Sequence, residues 1–247
     1  MIIDYTNKTV LITGGTRGIG KALVEAFEAS GANLIITGRN KDNIDKLNIE
    51  YNNLKREYFV LNFAKVGNYE EFENNLIGKE KIDVLVNNAG INIINNFIHS
   101  KNDDFTQIVN VNIKGPYKLS KFVAQKMIKH HYGRIINICS IWSIITREKR
   151  SLYTMSKNAL HGLTQTMAIE LAEHNILVNS VSPGFTLTDL TKETNTNEEL
   201  KNISMKIPMK RLAKPSEIAN LVLFLASDKN TYLTGQNIVV DGGFTIV

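Results

Sequence analysis

The strongest constraint on this chain sits near its N-terminus, where a strand-like run meets a cluster of glycines and then a helix. Residues 8–13 read KTVLIT, a short β-forming segment that ends in Gly14-Gly15-Thr16-Arg17-Gly18-Ile19-Gly20. From Lys21 onward, Ala22, Leu23, Ala26 and Phe27 recur at helical spacing until Gly31 stops the pattern. A chain that turns sharply from strand to helix needs positions without a Cβ, both for the backbone conformation and for close packing of helix on sheet. The unpaired N–H groups of such a helix then face outward and suit a phosphate.

The alternation continues along the chain. Strand-like runs recur at residues 33–37 (NLIIT), 58–61, 82–86, 134–138, 177–181 and 238–240. Helical stretches lie between them, among them residues 41 to about 54 and a long one from Ser151 to about Glu173. The runs are nearly continuous in Val, Ile and Leu, which means both sheet faces are covered. Strands separated by helices pair in parallel through right-handed crossovers. The expected fold is α/β: one doubly wound domain over residues 1–247, with a parallel sheet of about seven strands. Residues 186–210, polar and weakly helical, form the expected lid over a substrate site, with a merely mobile surface excursion as the alternative.

Composition narrows the setting. No apolar run approaches the roughly 18–20 residues of a membrane span. The first ten residues lack the basic-then-apolar layout of a signal peptide. A single cysteine, Cys139, excludes an internal disulfide, so a cytoplasmic protein is expected. The net charge of +5 comes from scattered residues, which argues against nucleic acid as a partner. The densest basic group, Lys126, Lys129, His130, His131 and Arg134, reads as a solvated face at a helix end, with a docking patch for an acidic partner as the alternative. Asparagine is abundant at residues 42–53 and 87–96, which reads as composition rather than function.

Several motifs in order make this chain similar to the classical short-chain dehydrogenase/reductases over essentially its whole length. The glycines are spaced Gly-x3-Gly-x-Gly, resembling that family's TGxxxGxG turn. Asn87-Asn88-Ala89-Gly90 resembles its NNAG, and Tyr153 with Lys157 its YxxxK. Pro183-Gly184 and the segments Thr234-Gly235-Gln236 and Asp241-Gly242-Gly243 resemble its later signatures. The resemblance implies a Rossmann-type fold, a nicotinamide cofactor, no metal, and hydride transfer to or from a carbonyl carbon.

It also implies roles for particular residues. Tyr153 is the acid/base and Lys157 its partner, four apart and so on one helix face. A nearby ammonium favours the ionised form of a phenol, which is otherwise a poor acid/base at neutral pH. Ser140, thirteen residues before Tyr153, holds the substrate oxygen. Asn112 distorts its helix and holds a water that links Lys157 to solvent, with Asn110 as a competing assignment. Cys139, one position out of phase with Ser140 on a strand, is expected to point into packing. The implied cofactor contacts are Gly14, Thr16, Arg17, Gly18, Ile19, Gly20, Arg39, Asn62, Phe63, Asn88, Ala89, Gly90 and Val111. Pro183, Gly184, Thr186 and Thr188 complete them, with Tyr153 and Lys157. The expected substrate contacts are Ser140, Trp142 and Tyr153.

The cofactor expected is NADP(H). The second strand ends in Thr37-Gly38-Arg39, so Gly38 stands where a carboxylate would select NAD, and Arg17 and Arg39 suit a 2′-phosphate. Asn62-Phe63 departs from the family's Asp-Val, and a modest loss of adenine affinity is expected. Among family members the chain is most similar to 3-oxoacyl-[acyl-carrier-protein] reductases, which implies a ketone substrate carried on an acidic carrier protein, and assembly as a homotetramer. Trp142, within a bulky and basic stretch 141–150, departs from the small residues usual there and leaves sugar, polyol and other small-ketone substrates open. A further alternative is a catalytically retired NADP(H) sensor.

Overall fold

Strands of Val, Ile and Leu that alternate between two apolar faces dictate a covered sheet, and β1 (Thr9–Ile12) illustrates it. Val10 and Ile12 join one core cluster, while Leu11 joins the other. In the computed structural model, which describes residues 3–52, 55–193 and 195–247, β1 is followed by β2 (Asn33–Gly38), β3 (Arg56–Val60), β4 (Val84–Asn87), β5 (Gly133–Ile138), β6 (Ile176–Pro183) and β7 (Asn237–Val240). These seven strands form one sheet in the order β3-β2-β1-β4-β5-β6-β7, parallel at each pairing. The expected α/β sheet is therefore present. Met1, Leu54 at the expected end of the second helix, and Thr194 within residues 186–210 lie outside the described residues.

Helices cover both faces. On one lie α1 (Gly18–Ala29), α2 (Lys41–Glu50) and α9 (Pro215–Ala226), which contribute Leu23, Phe27, Ile44 and Val222. On the other lie α3 (Asn68–Ile77), α5 (Gly115–Lys129) and α6 (Ser151–Leu171), which contribute Phe72, Val123 and Met167. The remaining helices are α4 (Asn102–Ile108), α7 (Asp189–Glu193) and α8 (Asn197–Lys206). No helix of the described residues is long and apolar enough to cross a membrane. Chain order reverses at β1, flanked by β2 and β4, so consecutive crossovers leave in opposite directions and open a crevice at the strands' carboxyl ends.

The segment 186–210 is more regular than its polar composition suggests. It holds α7 and α8, the latter capped reciprocally by Thr196 and Glu199. A bridge between Thr186 and Ala213 ties its two ends together, so the excursion leaves and rejoins the fold at one place.

One expectation from composition gains detail and another requires correction. Within the asparagine-rich tracts Asn87 is structural: its Nδ2 donates to Ser120 Oγ at 2.9 Å and Asn137 Oδ1 at 2.8 Å, and Asn137 Nδ2 donates to Thr164 Oγ1 at 2.8 Å. This buried chain ties β4 and β5 to α5 and α6, where unpaired amides would be costly. Asn48 likewise brackets Tyr58 with two backbone bonds. The basic group around Arg134 is not one surface face. Arg134 is 3% exposed, and its guanidinium donates to the carbonyls of Gly133, Asn175 and Asn230. Lys126 donates to the carbonyls of Ile77 and Lys79, which leaves only Lys129, His130 and His131 exposed.

Replacing Asn137 with Leu takes one partner from the Asn87 amide, which keeps Ser120, and one from the Thr164 hydroxyl, which keeps Leu160 O, in a closed interior. The expected loss is about 2–4 kcal/mol, read from the urea midpoint.

Candidate active site

The turn between β1 and α1 is built around missing side chains. Gly14 and Gly18 adopt φ of 66° and 54°, the left-handed region that other residues avoid. A Cβ on Gly20 would stand 2.1 Å from Gly14 O and 2.6 Å from Asn88 Nδ2, so α1 begins in direct contact with the turn. Asn88 closes the arrangement by donating to Thr13 O at 2.9 Å and Gly14 O at 3.0 Å. Thr13 Oγ1 accepts from the backbone N–H groups of Asn88 and Ala89, locking the end of β1 to the end of β4.

Above this turn lies a cleft of about 600 Å³. Of the expected cofactor contacts, Gly14, Thr16, Arg17, Gly18, Ile19, Gly20, Arg39, Asn62, Phe63, Asn88, Ala89, Gly90, Val111 and Thr188 all line it. Pro183, Gly184 and Thr186 stand outside that lining, at and just beyond the end of β6, as do Tyr153 and Lys157 on α6. Ile91 and Gln107 also line it, and no sequence signal marked either. A dinucleotide fits such a trough because the glycines leave backbone exposed where a Cβ would stand.

One end of the cleft is cationic. Arg17 and Arg39 are exposed there, and no ion pair of the described residues engages either. A Cβ on Gly38 would meet Thr16 Cγ2 at 2.7 Å, so a carboxylate side chain has no room at that position. Asn62 Oδ1 accepts from Ala64 N at 3.0 Å, the local turn an aspartate would also make. The Phe63 ring packs against Gly115 and stacks with Tyr69 at 6.4 Å, so it wedges the cleft wall rather than reaching across it.

At Gly90 the cleft meets the expected catalytic residues. A Cβ on Gly90 would come within 3.4 Å of Lys157 Nζ and 3.5 Å of Asn112 Oδ1. Lys157 is buried, donates from Nζ to Ile138 O at 2.8 Å, and stands 5.6 Å from the centre of the Tyr153 ring. Asn112 lies in a π-helical turn, Val109–Lys114, between α4 and α5. Its Oδ1 accepts from Ile91 N at 2.9 Å, and its Nδ2 donates to Ile91 O at 2.9 Å and Ser156 Oγ at 3.0 Å. Ser156 Oγ in turn donates to Tyr153 O at 2.8 Å, so Asn112 is fastened to the helix that carries Tyr153 and Lys157. Asn110 lines a separate hollow with Lys114 and Lys118.

Ser140 caps a short 3₁₀ turn, Ile141–Ser143, and its Oγ accepts from Trp142 N at 3.3 Å. Ser143, unmarked by any motif, donates to Ser140 O at 2.7 Å and joins Ser182 and Asn237 in a polar chain to β6 and β7. Trp142 is buried and packs edge-on to Phe185, which packs edge-on to Phe244. Cys139 points inward, where burial pushes its thiol up to about 11 and the Lys157 charge opposes the shift only in part. Among the described residues no group of His, Cys, Asp or Glu side chains is placed to hold a metal ion.

Two outcomes are expected. Gly20→Ala retains the far-ultraviolet circular dichroism but loses binding of a reduced nicotinamide dinucleotide, followed by its fluorescence. The native Cys139 thiol, buried and with its pKa pushed up by burial, resists a thiol reagent until the protein unfolds.

The comparisons with known proteins agree with this geometry. Residues 14–245 match the family model described as enoyl-(acyl carrier protein) reductase. A 3-oxoacyl-[acyl-carrier-protein] reductase of Rickettsia bellii is 39% identical over 246 residues, covering 100% of both chains. The solved structure of a putative gluconate dehydrogenase of Agrobacterium tumefaciens superposes with a TM-score of 0.93 at 30% identity, covering 100% of this chain and 99% of that one. A gluconate 5-dehydrogenase of Burkholderia cenocepacia, solved in complex with NADP and tartrate, gives 0.90 at 29% identity over 99% and 97% of the two chains. With a seven-stranded parallel sheet, the glycine turn and a full-length match, this chain belongs to the short-chain dehydrogenase/reductase family of oxidoreductases.

Proposed function

We propose that the chain is an NADP(H)-dependent oxidoreductase that interconverts a ketone and a secondary alcohol. The observation that carries this reading is the meeting at Gly90 of the glycine-floored cleft with Lys157 and Asn112, beside Tyr153. A nicotinamide bound there would supply or take the hydride. The glycine turn and the N-terminus of α1 would hold its pyrophosphate, and Arg17 and Arg39 the 2′-phosphate.

The residues handle the oxygen and its proton. Ser140 Oγ donates to the substrate oxygen, and the Tyr153 hydroxyl delivers the proton to it. Lys157 Nζ stands beside the Tyr153 ring, and Asn112, through Ser156, holds that stretch of α6 in register. Segment 186–210, tied at its base and with Thr188 against Gly18, serves as the lid. The whole described chain serves as one domain, and assembly as a homotetramer is supported by Tyr117 and Ile169, apolar side chains exposed on α5 and α6.

Two substrate classes have support. The Rickettsia relative's name favours a 3-oxoacyl thioester delivered on an acidic carrier protein. The gluconate dehydrogenases favour a sugar acid, and the aromatic wall of Trp142 and Phe185 is the feature of this chain that separates the two.

Three measurements test the reading. Tyr153→Phe is expected to lower kcat about 10²–10⁴-fold with NADPH affinity nearly unchanged. Replacing Arg17 and Arg39 together with Ala is expected to weaken NADPH binding about 10–100-fold and NADH binding little. No NADPH-linked reduction of any ketone, with cofactor binding intact, overturns the proposal in favour of a sensor.

A further inference from the structure

Two arginines just before α6 have no part in the chemistry derived above. Arg150 immediately precedes α6 and is only 9% exposed. Its Nε is sealed from water and meets no hydrogen-bond acceptor. Among the described residues no carboxylate pairs with Arg150 or with its neighbour Arg147. Both guanidiniums lie over the Trp142 indole, Arg147 at 5.5 Å and Arg150 at 5.8 Å from the ring. An aromatic face offsets only part of what a desolvated cation loses.

The other shielded arginines have partners. Arg134 is as deeply buried and its Nε likewise meets no acceptor, yet three backbone carbonyls take its Nη N–H groups. Arg56 forms a two-pronged pair with Glu28. Arg150 alone among these three has neither carbonyl nor carboxylate against it. Burial, reinforced by the charge of Arg147, holds its guanidinium below the ordinary value, the direction expected of a cation that lacks a counter-charge.

Its position gives the unpartnered guanidinium a meaning. Arg150 precedes Tyr153 by three residues, and Thr154 N donates to its carbonyl, so Arg150 and Tyr153 are neighbours on the first turn of α6. That turn holds no acidic residue, and its N-terminal N–H groups add positive potential. Trp142, on which Arg150 rests, follows Ser140 by two residues. Trp142 N donates to Ser140 Oγ, so the indole beneath Arg150 belongs to the same short turn as Ser140.

We propose that Arg150, backed by Arg147, is an anion subsite, and that the ketone this chain reduces carries a carboxylate a few bonds from its carbonyl carbon. This rests on the reductase reading above and narrows it from neutral thioesters to oxo acids. A carboxylate meets a guanidinium through two parallel N–H···O bonds, which a neutral ester or thioester cannot reproduce.

The test follows NADPH oxidation at constant ionic strength with acetoacetate, its methyl ester and the N-acetylcysteamine thioester of the same acid. The expected result is a kcat/KM for the acid about 30-fold or more above that for the ester. Arg150→Met is expected to lower that acid-to-ester ratio about 100-fold, chiefly through KM for the acid, and Arg150→Lys to restore part of it. A wild-type preference for ester or thioester, or an equal loss on acid and ester in the Met variant, overturns the proposal. Calorimetric binding of malonate to the NADP⁺-saturated protein provides a readout without turnover. Binding about 10-fold weaker in Arg150→Met supports the subsite even if no ketone is reduced, in which case the reductase reading falls alone. Equal malonate affinity in the two proteins overturns the subsite and leaves the reductase reading standing.

Discussion

Between β1 and α1 there is room for a backbone and for nothing more. Gly20 sits so close to Gly14 O that a single methyl group would collide with it, and the Asn88 amide fills the remaining space by bonding two carbonyls of the turn. The first helix can therefore start against the sheet, with its free N–H groups facing the crevice where the strand order reverses. The remaining features of the candidate site take their positions from this contact. The cleft is floored by glycines, its cationic end is marked by Arg17 and Arg39, and the end of β4 is pinned so that Gly90 comes up against Lys157.

A second layer of constraint runs through polar groups that never see water. Asn87, Asn137 and Thr164 stitch two central strands to α6, and Asn112 reaches the same helix through Ser156. A helix held only by apolar packing has freedom to slide, whereas buried amides and hydroxyls lose several kcal/mol-scale contacts if it moves. The π-helical turn at Val109–Lys114 belongs to this arrangement, because an extra residue per turn is what brings the Asn112 side chain to face Ile91 and Ser156. Precision at Tyr153 and Lys157 thus depends on groups distant from the cleft.

The two ends of the site differ in how their charge is balanced. The arginines of the cofactor end are exposed and solvated, so leaving them unpaired costs little. Arg150, before α6, is buried, with its Nε sealed from water and an indole beneath it. Ser143 links the loop that carries Trp142 to β6 and β7, so the aromatic wall and the guanidinium on it are held as one piece.

What the amino-acid sequence determined by itself is local. The glycine turn follows from positions where a Cβ cannot fit, the sheet follows from the alternation of apolar runs and helices, and Tyr153 and Lys157 share a helix face because they are four apart. What only the tertiary structure decided depends on partners far away in the chain. Asn112 rather than Asn110 meets α6 because its amide finds Ser156, forty-four positions on. Arg134 turns inward because the Asn230 carbonyl, ninety-six positions away, takes one of its N–H groups. The asparagines that look like mere composition become struts only when β4 and β5 lie side by side, and Arg150 becomes conspicuous only once the packed fold has brought it no acceptor. Periodicity and steric exclusion can be read from neighbours along the chain, whereas satisfaction of a buried polar group is a property of the whole packed interior.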